Sequence, residues 1–222
     1  MASESKTQVK CVEKTTTSSP TIVLRQEEKE KPSINKEVQV KHPLENSWTL
    51  WYFKNDRSKS WEVNQKPVIS VQTIEDFWAI INYTTSISEV GVGCDYSLFK
   101  TGIKPMWEDE KNCEGGRWLI NLDKSQRQRC LNQFWMETML CLIGEAFEKN
   151  EDIVNGAVVN VRNRGDKISL WMSNSTKMEG IMSVGRTLKN RMGLDKHLRI
   201  GFEVHKDAMN KQGSMARNKY TL

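Results

Sequence analysis

Every aromatic side chain of this chain lies beyond residue 41: residues 1 to 41 contain no Phe, Tyr or Trp, and all eight Trp, six Phe and four Tyr follow them. A core needs large apolar side chains to offset the entropy of ordering, so only the later segment can build one. The first 41 residues are rich in Thr, Ser, Lys and Glu, are interrupted by Pro20 and Pro32, and read as a disordered tail. The expected organisation is a tail over 1 to 41 and one globular domain over 42 to 222.

The start, Met-Ala-Ser-Glu-Ser-Lys, lacks the apolar stretch of a secretion signal, and no later apolar run approaches the ~20 residues that span a bilayer. A soluble intracellular protein is expected, cytoplasmic and compatible with a nuclear pool, with no membrane partner. Cys11, Cys94, Cys113, Cys130 and Cys141 are odd in number and irregularly spaced, which argues against a disulfide framework and against a zinc site. They read as reduced thiols. His42, His197 and His205 are too scattered for ligation or for a catalytic base, so neither metal nor cofactor is expected. A net charge of +5 with pI near 8.9 is compatible with a nucleic-acid partner without requiring one.

Ser47 to Phe53 alternates on the period of a strand, and the polar loop 54 to 60 follows it. Residues 73 to 81 carry Ile74, Phe77, Trp78 and Ile81 at helical spacing, with Thr73 as N-cap and Asp76 as its capping-box-like partner. Strands are predicted at 95 to 99 and, behind Gly115-Gly116, at 117 to 121. A long helix is predicted over 125 to 148. Its stripe of Leu131, Phe134, Trp135, Met139 and Leu142 is widened by Met136, Leu140 and Ile143 beyond what one sheet contact needs. Strands at 156 to 162 and 167 to 172 form a hairpin turned by Gly165, a helix runs from about Ser183 to Met192 and stops at Gly193, and a last strand covers 198 to 204. Strands outnumber helices and join through short connections, so the class is α+β with an antiparallel sheet.

Two tryptophans sit in polar loops, Trp61 in Ser-Lys-Ser-Trp61 and Trp107 in Lys-Pro-Met-Trp107-Glu108. Indole is the largest apolar side chain and normally has to be buried, so this pair suggests two faces for a flat ligand. A positively charged ring would be preferred between them, because an indole face attracts cations. Glu108 offers two coplanar oxygens, which match the adjacent N1–H and N2–H donors of guanine. Arg162, Arg164 and Lys167 at the hairpin tip would hold phosphates, with Arg117 in support. Each residue alone has a plainer reading: a Trp is usually core, a Glu in Glu-Asp-Glu solvated surface, a basic hairpin tip a charged turn. Together they combine stacking, edge recognition and phosphate clamping in loops, where sites concentrate.

Longer motifs carry a family resemblance. His42-Pro-Leu44, Trp48 with Trp51, Lys54-Asn-Asp56, Glu75-Asp-Phe-Trp78, Cys94-Asp-Tyr-Ser-Leu-Phe-Lys100, Pro105-Met-Trp-Glu-Asp-Glu-Lys-Asn112, Gly115-Gly-Arg-Trp118, Cys141-Leu-Ile-Gly-Glu145 and Gly156-Ala-Val-Val-Asn-Val-Arg162 closely resemble the eukaryotic translation initiation factor 4E family, the mRNA cap-binding proteins. The resemblance covers 42 to 222. It implies a single domain whose curved antiparallel sheet is backed by three helices on its convex face, with 7-methylguanosine on the concave side. Trp61 and Trp107 would stack the methylated base, Glu108 would accept N1–H and N2–H, the Trp107 backbone N–H would donate to O6, and Trp171 would touch the N7-methyl group. Arg162 and Lys167 would reach the phosphates, supported by Arg117 and Arg164, with Lys211 near the second nucleotide.

The same resemblance implies a second surface of His42, Pro43, Ile74, Trp78, Met136 and Glu137. It would bind initiation factor 4G-type scaffolds and 4E-binding repressors through a Tyr-x-x-x-x-Leu-apolar helix, making the protein a monomeric subunit of a hetero-complex. The plain alternative is that Ile74 and Trp78 are core, sharing a stripe with Phe77 and Ile81. Ser214 stands where the family carries a regulatory phosphoserine. Arg164, Met136 and Ile74 replace the family's usual Lys, Leu and Val, and the segments 87 to 93 and 112 to 114 look individual to this chain. The function expected is cap binding and scaffold recruitment in cap-dependent translation. The alternative is a paralogue with weak cap binding that represses or competes through its partner surface. A cap-processing enzyme ranks last, since no phosphate loop, metal cluster or nucleophile with a paired His is present.

Overall fold

Alternation along the chain becomes one eight-stranded antiparallel sheet in a computed structural model that describes residues 40–195, 198–209 and 218–222. The strands are β1 (Pro43–Phe53), β2 (Gln65–Thr73), β3 (Asp95–Lys100), β4 (Gly116–Leu122), β5 (Val154–Asn160), β6 (Asp166–Met172), β7 (Gly201–Val204) and β8 (Tyr220–Thr221). Their order across the curved sheet is β2-β1-β3-β5-β6-β4-β7-β8. Helices α2 (Ile74–Tyr83), α3 (Asn132–Ile143) and α4 (Met178–Arg191) cover the convex face, while α1 (Trp61–Asn64) and α5 (His205–Met209) are short. Residues 1–39, Lys211, Ser214 and His197 lie outside the described residues, and with them the tail, the second-nucleotide contact and the candidate phosphorylation position.

Side chains of period two sort the sheet into two faces. Leu98, Trp118, Ile120, Ala157, Val159, Ile168, Leu170 and Met172 join Phe77, Leu131, Trp135, Met139, Leu142, Ile181, Val184 and Leu188 in the main core under the helices. Their neighbours of opposite parity, among them Asp95, Ser97, Arg117, Val158, Asn160, Lys167 and Trp171, line a cleft on the other face. A second, small cluster of Phe99, Val158 and Trp171 sits there, with Ile103 and Trp107 packed on it. Trp118 anchors the helix layer: it is fully buried and its Nε1–H donates to the Ile181 carbonyl at 2.9 Å. Gly185 lets α4 lie this close, since a Cβ there would come within 2.4 Å of the Trp118 ring.

Helix α2 begins at its predicted N-cap, but without the reciprocal capping-box bond expected of Asp76. The Thr73 hydroxyl accepts from the Asp76 backbone N–H at 3.2 Å, while the Asp76 carboxylate is turned outward to Lys41 at 2.6 Å. The single long helix predicted over 125 to 148 is instead a composite: a 3-10 turn at Lys124–Gln126, a π-helical turn at Arg127–Leu131, and α3. It stops at Gly144 in a Schellman arrangement, with Ala146 N–H bonded to Cys141 O and Glu145 N–H to Leu142 O, and Glu145 takes the left-handed conformation at φ 52°. Asn46 holds the Glu145 side chain there at 2.6 Å.

Other boundaries shift. Helix α4 starts at Met178, five residues before the predicted start, because Asn174 Oδ1 collects the N–H groups of Thr176 and Lys177 just ahead of it. The last predicted strand shortens to β7 and is flanked by α5 and the edge strand β8. Strand β2 was not anticipated. Asp166 belongs to β6, leaving Gly165 at φ 147° to make the turn.

Candidate functional site

The open face of the sheet carries a cleft of about 990 Å³. Its lining includes Trp61, Trp107, Glu108, Arg117, Arg162, Arg164, Lys167 and Trp171, so eight of the nine residues singled out for base and phosphate contact come together. Lys211, the ninth, is outside the described residues.

Trp61 opens the one-turn helix α1 and is 43% exposed, with Phe53 as its aromatic neighbour at a centroid distance of 6.2 Å. The preceding loop is shaped by Asp56, whose Oδ1 accepts from the Ser58 N–H and hydroxyl, and by Asn64, whose Nδ2 donates to the Asp56 carbonyl at 2.8 Å.

Trp107 is half-buried on the cluster of Phe99, Val158 and Trp171, and Glu108 beside it is exposed. The Arg117 guanidinium lies 5.6 Å from the Trp107 ring centroid and pairs with Glu203 at 3.0 Å. Arg117 thus braces an indole face as well as adding charge to the cleft. Trp171 is 4% exposed on the cleft floor, its Nε1–H bonded to Ser169 Oγ at 3.1 Å and its ring 4.4 Å from that of His205. Burial pulls the His205 imidazole down to about 4, with the nearby Arg117 charge acting in the same direction and the Asn112 hydrogen bond against it. His205 is therefore neutral at physiological pH.

The cations fall into two kinds. Arg164 and Lys167 are exposed at the hairpin tip. Arg162 is fixed: both terminal nitrogens meet the Asp95 carboxylate, Nη2 at 2.9 Å, and Nη1 also reaches the Val161 carbonyl at 3.0 Å. Burial raises the Asp95 carboxyl against the pull of Arg162, and the pairing raises the guanidinium. Behind the hairpin, Arg127 grips the fully buried Asp166 carboxylate with two bonds of 2.7 Å and the Arg162 carbonyl with one of 2.6 Å. That bolt is invisible in sequence, since its partners are 39 residues apart. Asn55, Arg57 and Asn160 also line the cleft and were not singled out. Asn160 had a usable signal, sharing the strand parity of Val158, and Arg57 another, as a cation in the Trp61 loop.

On the helix side, Ile74 is 41% and Trp78 44% exposed while Phe77 is 1% exposed, so the first two are surface and not core. Met136 and Glu137 are half-buried, and His42 and Pro43 exposed. The His42 N–H and Nδ1 both meet the Glu75 carboxylate, at 3.0 and 2.6 Å, and its carbonyl accepts from Ile74 N–H. This pins the start of β1 to the first turn of α2. The His42 hydrogen bond is the main reason the Glu75 carboxyl is held down at about 2.

Fold and cleft together define a binder of a flat ring that carries anionic groups, with an apolar helix-face patch on the far side of the sheet. The family model described as eukaryotic initiation factor 4E matches residues 43–220. Human eukaryotic translation initiation factor 4E is 48% identical over 214 residues, covering 95% of this chain and 99% of its own length. Among solved structures, Ascaris suum eIF4E-3 in complex with an m2,2,7G cap is 44% identical with a TM-score of 0.78, covering 82% of this chain and 99% of its own. Caenorhabditis elegans eIF4E-3 with the 4E-binding protein Mextli and a cap analogue is 41% identical with a TM-score of 0.76, covering 82% and 100%. The chain belongs to the eukaryotic initiation factor 4E family.

Proposed function

We propose that the cleft holds the 7-methylguanosine cap of messenger RNA with Trp61 and Trp107 on either side of the base. The protein binds capped mRNA and recruits a translation-initiation scaffold, promoting cap-dependent translation. The observation that carries this reading is the convergence of Trp61, Trp107, Glu108, Trp171 and five cations, Arg57, Arg117, Arg162, Arg164 and Lys167, in one cleft on the sheet face opposite α2, α3 and α4.

Methylation at N7 makes the purine cationic. Stacking contributes roughly 1–3 kcal/mol per base, and a cation against an indole face adds about 0.5–2 kcal/mol. Glu108 accepts from N1–H and N2–H, and the Trp107 backbone N–H donates to O6. Adenine lacks the matching donor pair. Trp171 floors the cleft where the methyl group enters. Arg162, Lys167, Arg164 and Arg117 supply charge for the triphosphate, Arg162 from a geometry already set by Asp95. Binding, not bond making, is the whole of this activity, and it is exercised in the cytoplasm.

His42, Pro43, Ile74, Trp78, Met136 and Glu137 receive the apolar side of a partner helix from a 4G-type scaffold or a 4E-binding repressor. The exposed indole of Trp78 is suited to be its anchor. Because this patch lies across the sheet from the cleft, cap and partner bind together.

Trp fluorescence titrated with 7-methylguanosine triphosphate and with unmethylated GTP, across ionic strength, tests the reading. Strong preference for the methylated nucleotide with a shallow salt slope is expected. Equal affinity with a steep slope indicates generic phosphate binding and defeats it.

A further inference from the structure

Asn112, which is 0% exposed, sits at the centre of the hydrogen bonds that tie the turn carrying Trp107 and Glu108 to the sheet. Its Nδ2 donates to the carbonyls of Lys104 and Met106, both at 2.9 Å, closing the turn from inside. Its Oδ1 accepts from Asn155 Nδ2 at 2.9 Å, and the same Asn155 amide donates to the Lys111 carbonyl at 2.7 Å. Its backbone carbonyl meets His205 Nδ1 at 2.9 Å. A carbonyl can only accept, so the His205 proton sits on Nδ1.

Two backbone features aim the anchors. The β5–β6 register slips between Val154 and Gly156, so Asn155 has no opposite number in the ladder. A bulge of this kind re-aims a side chain, and here the amide meets the Trp107 turn. His205 follows β7, with its own N–H bonded to the Gly115 carbonyl at 3.1 Å and its ring against Trp171.

From this geometry we propose that Asn112, anchored by Asn155 and His205, is the positioning residue that sets the Trp107–Glu108 platform before the base arrives. The proposal rests on the cap-binding reading of the cleft. None of the three side chains lines the cleft, so their effect on a ligand passes through the turn and through Trp171. The turn carbonyls of Lys104, Met106 and Lys111 are satisfied by these two side-chain amides, and affinity is gained because less has to be ordered on binding.

Two isosteric or near-isosteric comparisons test it in the full chain. Asn155→Asp keeps the volume but replaces the donor with an acceptor facing two acceptors, whereas His205→Gln keeps a neutral N–H donor that His205→Leu removes. Affinity for 7-methylguanosine triphosphate is expected to fall about tenfold in Asn155→Asp and His205→Leu, and to be largely retained in His205→Gln. Amide hydrogen exchange is expected to speed up over residues 104–112 in the two weakened variants while β3 and β6 stay protected, and affinity for a Tyr-x-x-x-x-Leu-apolar peptide should be unchanged. Wild-type affinity in both weakened variants, or exchange that rises everywhere alike, overturns the positioning role even though the cleft still reads caps. A wild-type protein that fails to bind the methylated nucleotide overturns the cleft reading instead, and exchange over 104–112 then still decides whether Asn112 fixes the turn.

Discussion

The two tryptophans that flank the cleft are held by different means. Trp61 stands on a four-residue helix, and the bonds that shape its loop join residues no more than ten apart, from Lys54 N–H to the Asn64 carbonyl at the widest. Trp107 sits on a turn tied to Asn155, 43 residues away, and to His205, 93 residues away. It is also packed on a buried cluster and braced by Arg117. One wall is thus part of the folded sheet and the other is a local structure laid against it. Segments with few long-range contacts sit at the low-stability end of a protein. For the base proposed above, the difference predicts an order of events to be tested: docking on Trp107 and Glu108 first, then closure of Trp61.

Truncating the two walls should therefore have unequal consequences. Trp107→Ala removes the stacking face, the partner of Arg117 and the packing that holds Glu108 in place, and is expected to cost about 3 kcal/mol of affinity for 7-methylguanosine triphosphate. Trp61→Ala removes a face that must first be ordered, so part of its stacking energy is already offset, and about 2 kcal/mol is expected. Each variant removes one of the tryptophans that would report binding by fluorescence, so calorimetry is the suitable measurement. Equal losses, or a larger one for Trp61, would break the proposed asymmetry.

Glu108→Gln probes the fixed wall without touching either ring. One acceptor oxygen and the negative charge are lost, and a donor is turned toward the N1–H and N2–H edge. A cost of about 1.5–3 kcal/mol is expected for the methylated nucleotide, and almost none for a ligand that only stacks. Competition between 7-methylguanosine triphosphate and a methylated purine lacking both the N1–H and the N2–H donors checks this. A uniform loss for both ligands would mean that Glu108 acts as a bulk charge.

How far these features can be read from sequence follows the same local and long-range division. Strands β3, β4, β5 and β6 declare themselves by alternation, and α2 by its spacing and Thr73. Strand β2 does not, because it is an edge strand with Pro67 inside it and with Val68 and Ile69 half exposed, so only Val71 points into the core. The π-helical turn before α3 and the left-handed Glu145 after it leave the apolar stripe unbroken, which is why three segments look like one helix. Trp61 and Trp107 stand out as apolar residues in polar loop context, and Glu108 gains its meaning only from standing next to Trp107. The grips of Asp95 on Arg162, Arg127 on Asp166 and Asn155 on Asn112 join distant strands and turns, and no local pattern announces them.

Acid should loosen one wall and spare the other. His205 is depressed to about 4 in the folded protein against an ordinary value near 6.5, so an unfolded chain takes up a proton that the folded one refuses. Its contribution to stability is complete above about pH 6.5 and is lost as pH falls toward 4, at most about 1.4 kcal/mol for the first unit. Asp56, which shapes the Trp61 loop, has its carboxyl held below the usual range by Ser58 first and Lys59 next, and so stays charged throughout that window. Thermal melting between pH 7.5 and 5.5 is expected to show a decline that His205→Gln reduces. An identical decline in that variant would assign the acid sensitivity elsewhere.

The smallest effect on the cleft is expected from the opposite side of the sheet. Trp78 is 44% exposed and meets Phe77 of the core edge-on, at a centroid distance of 5.5 Å. Trp78→Ala should therefore cost little stability, yet remove an aromatic anchor worth about 2 kcal/mol or more to a docked helix. The main core of buried side chains separates this patch from the cleft, and sites that share no partners behave additively to within about 0.5 kcal/mol. Cap affinity measured beside peptide affinity is thus expected to stay put while the second falls. If cap affinity moved with it by more than that margin, the helix layer would be coupled to the Trp61 wall through β1 and β2, whose ends meet both α2 and the loop before α1. The wall that is only locally held would then be the one a partner protein can adjust.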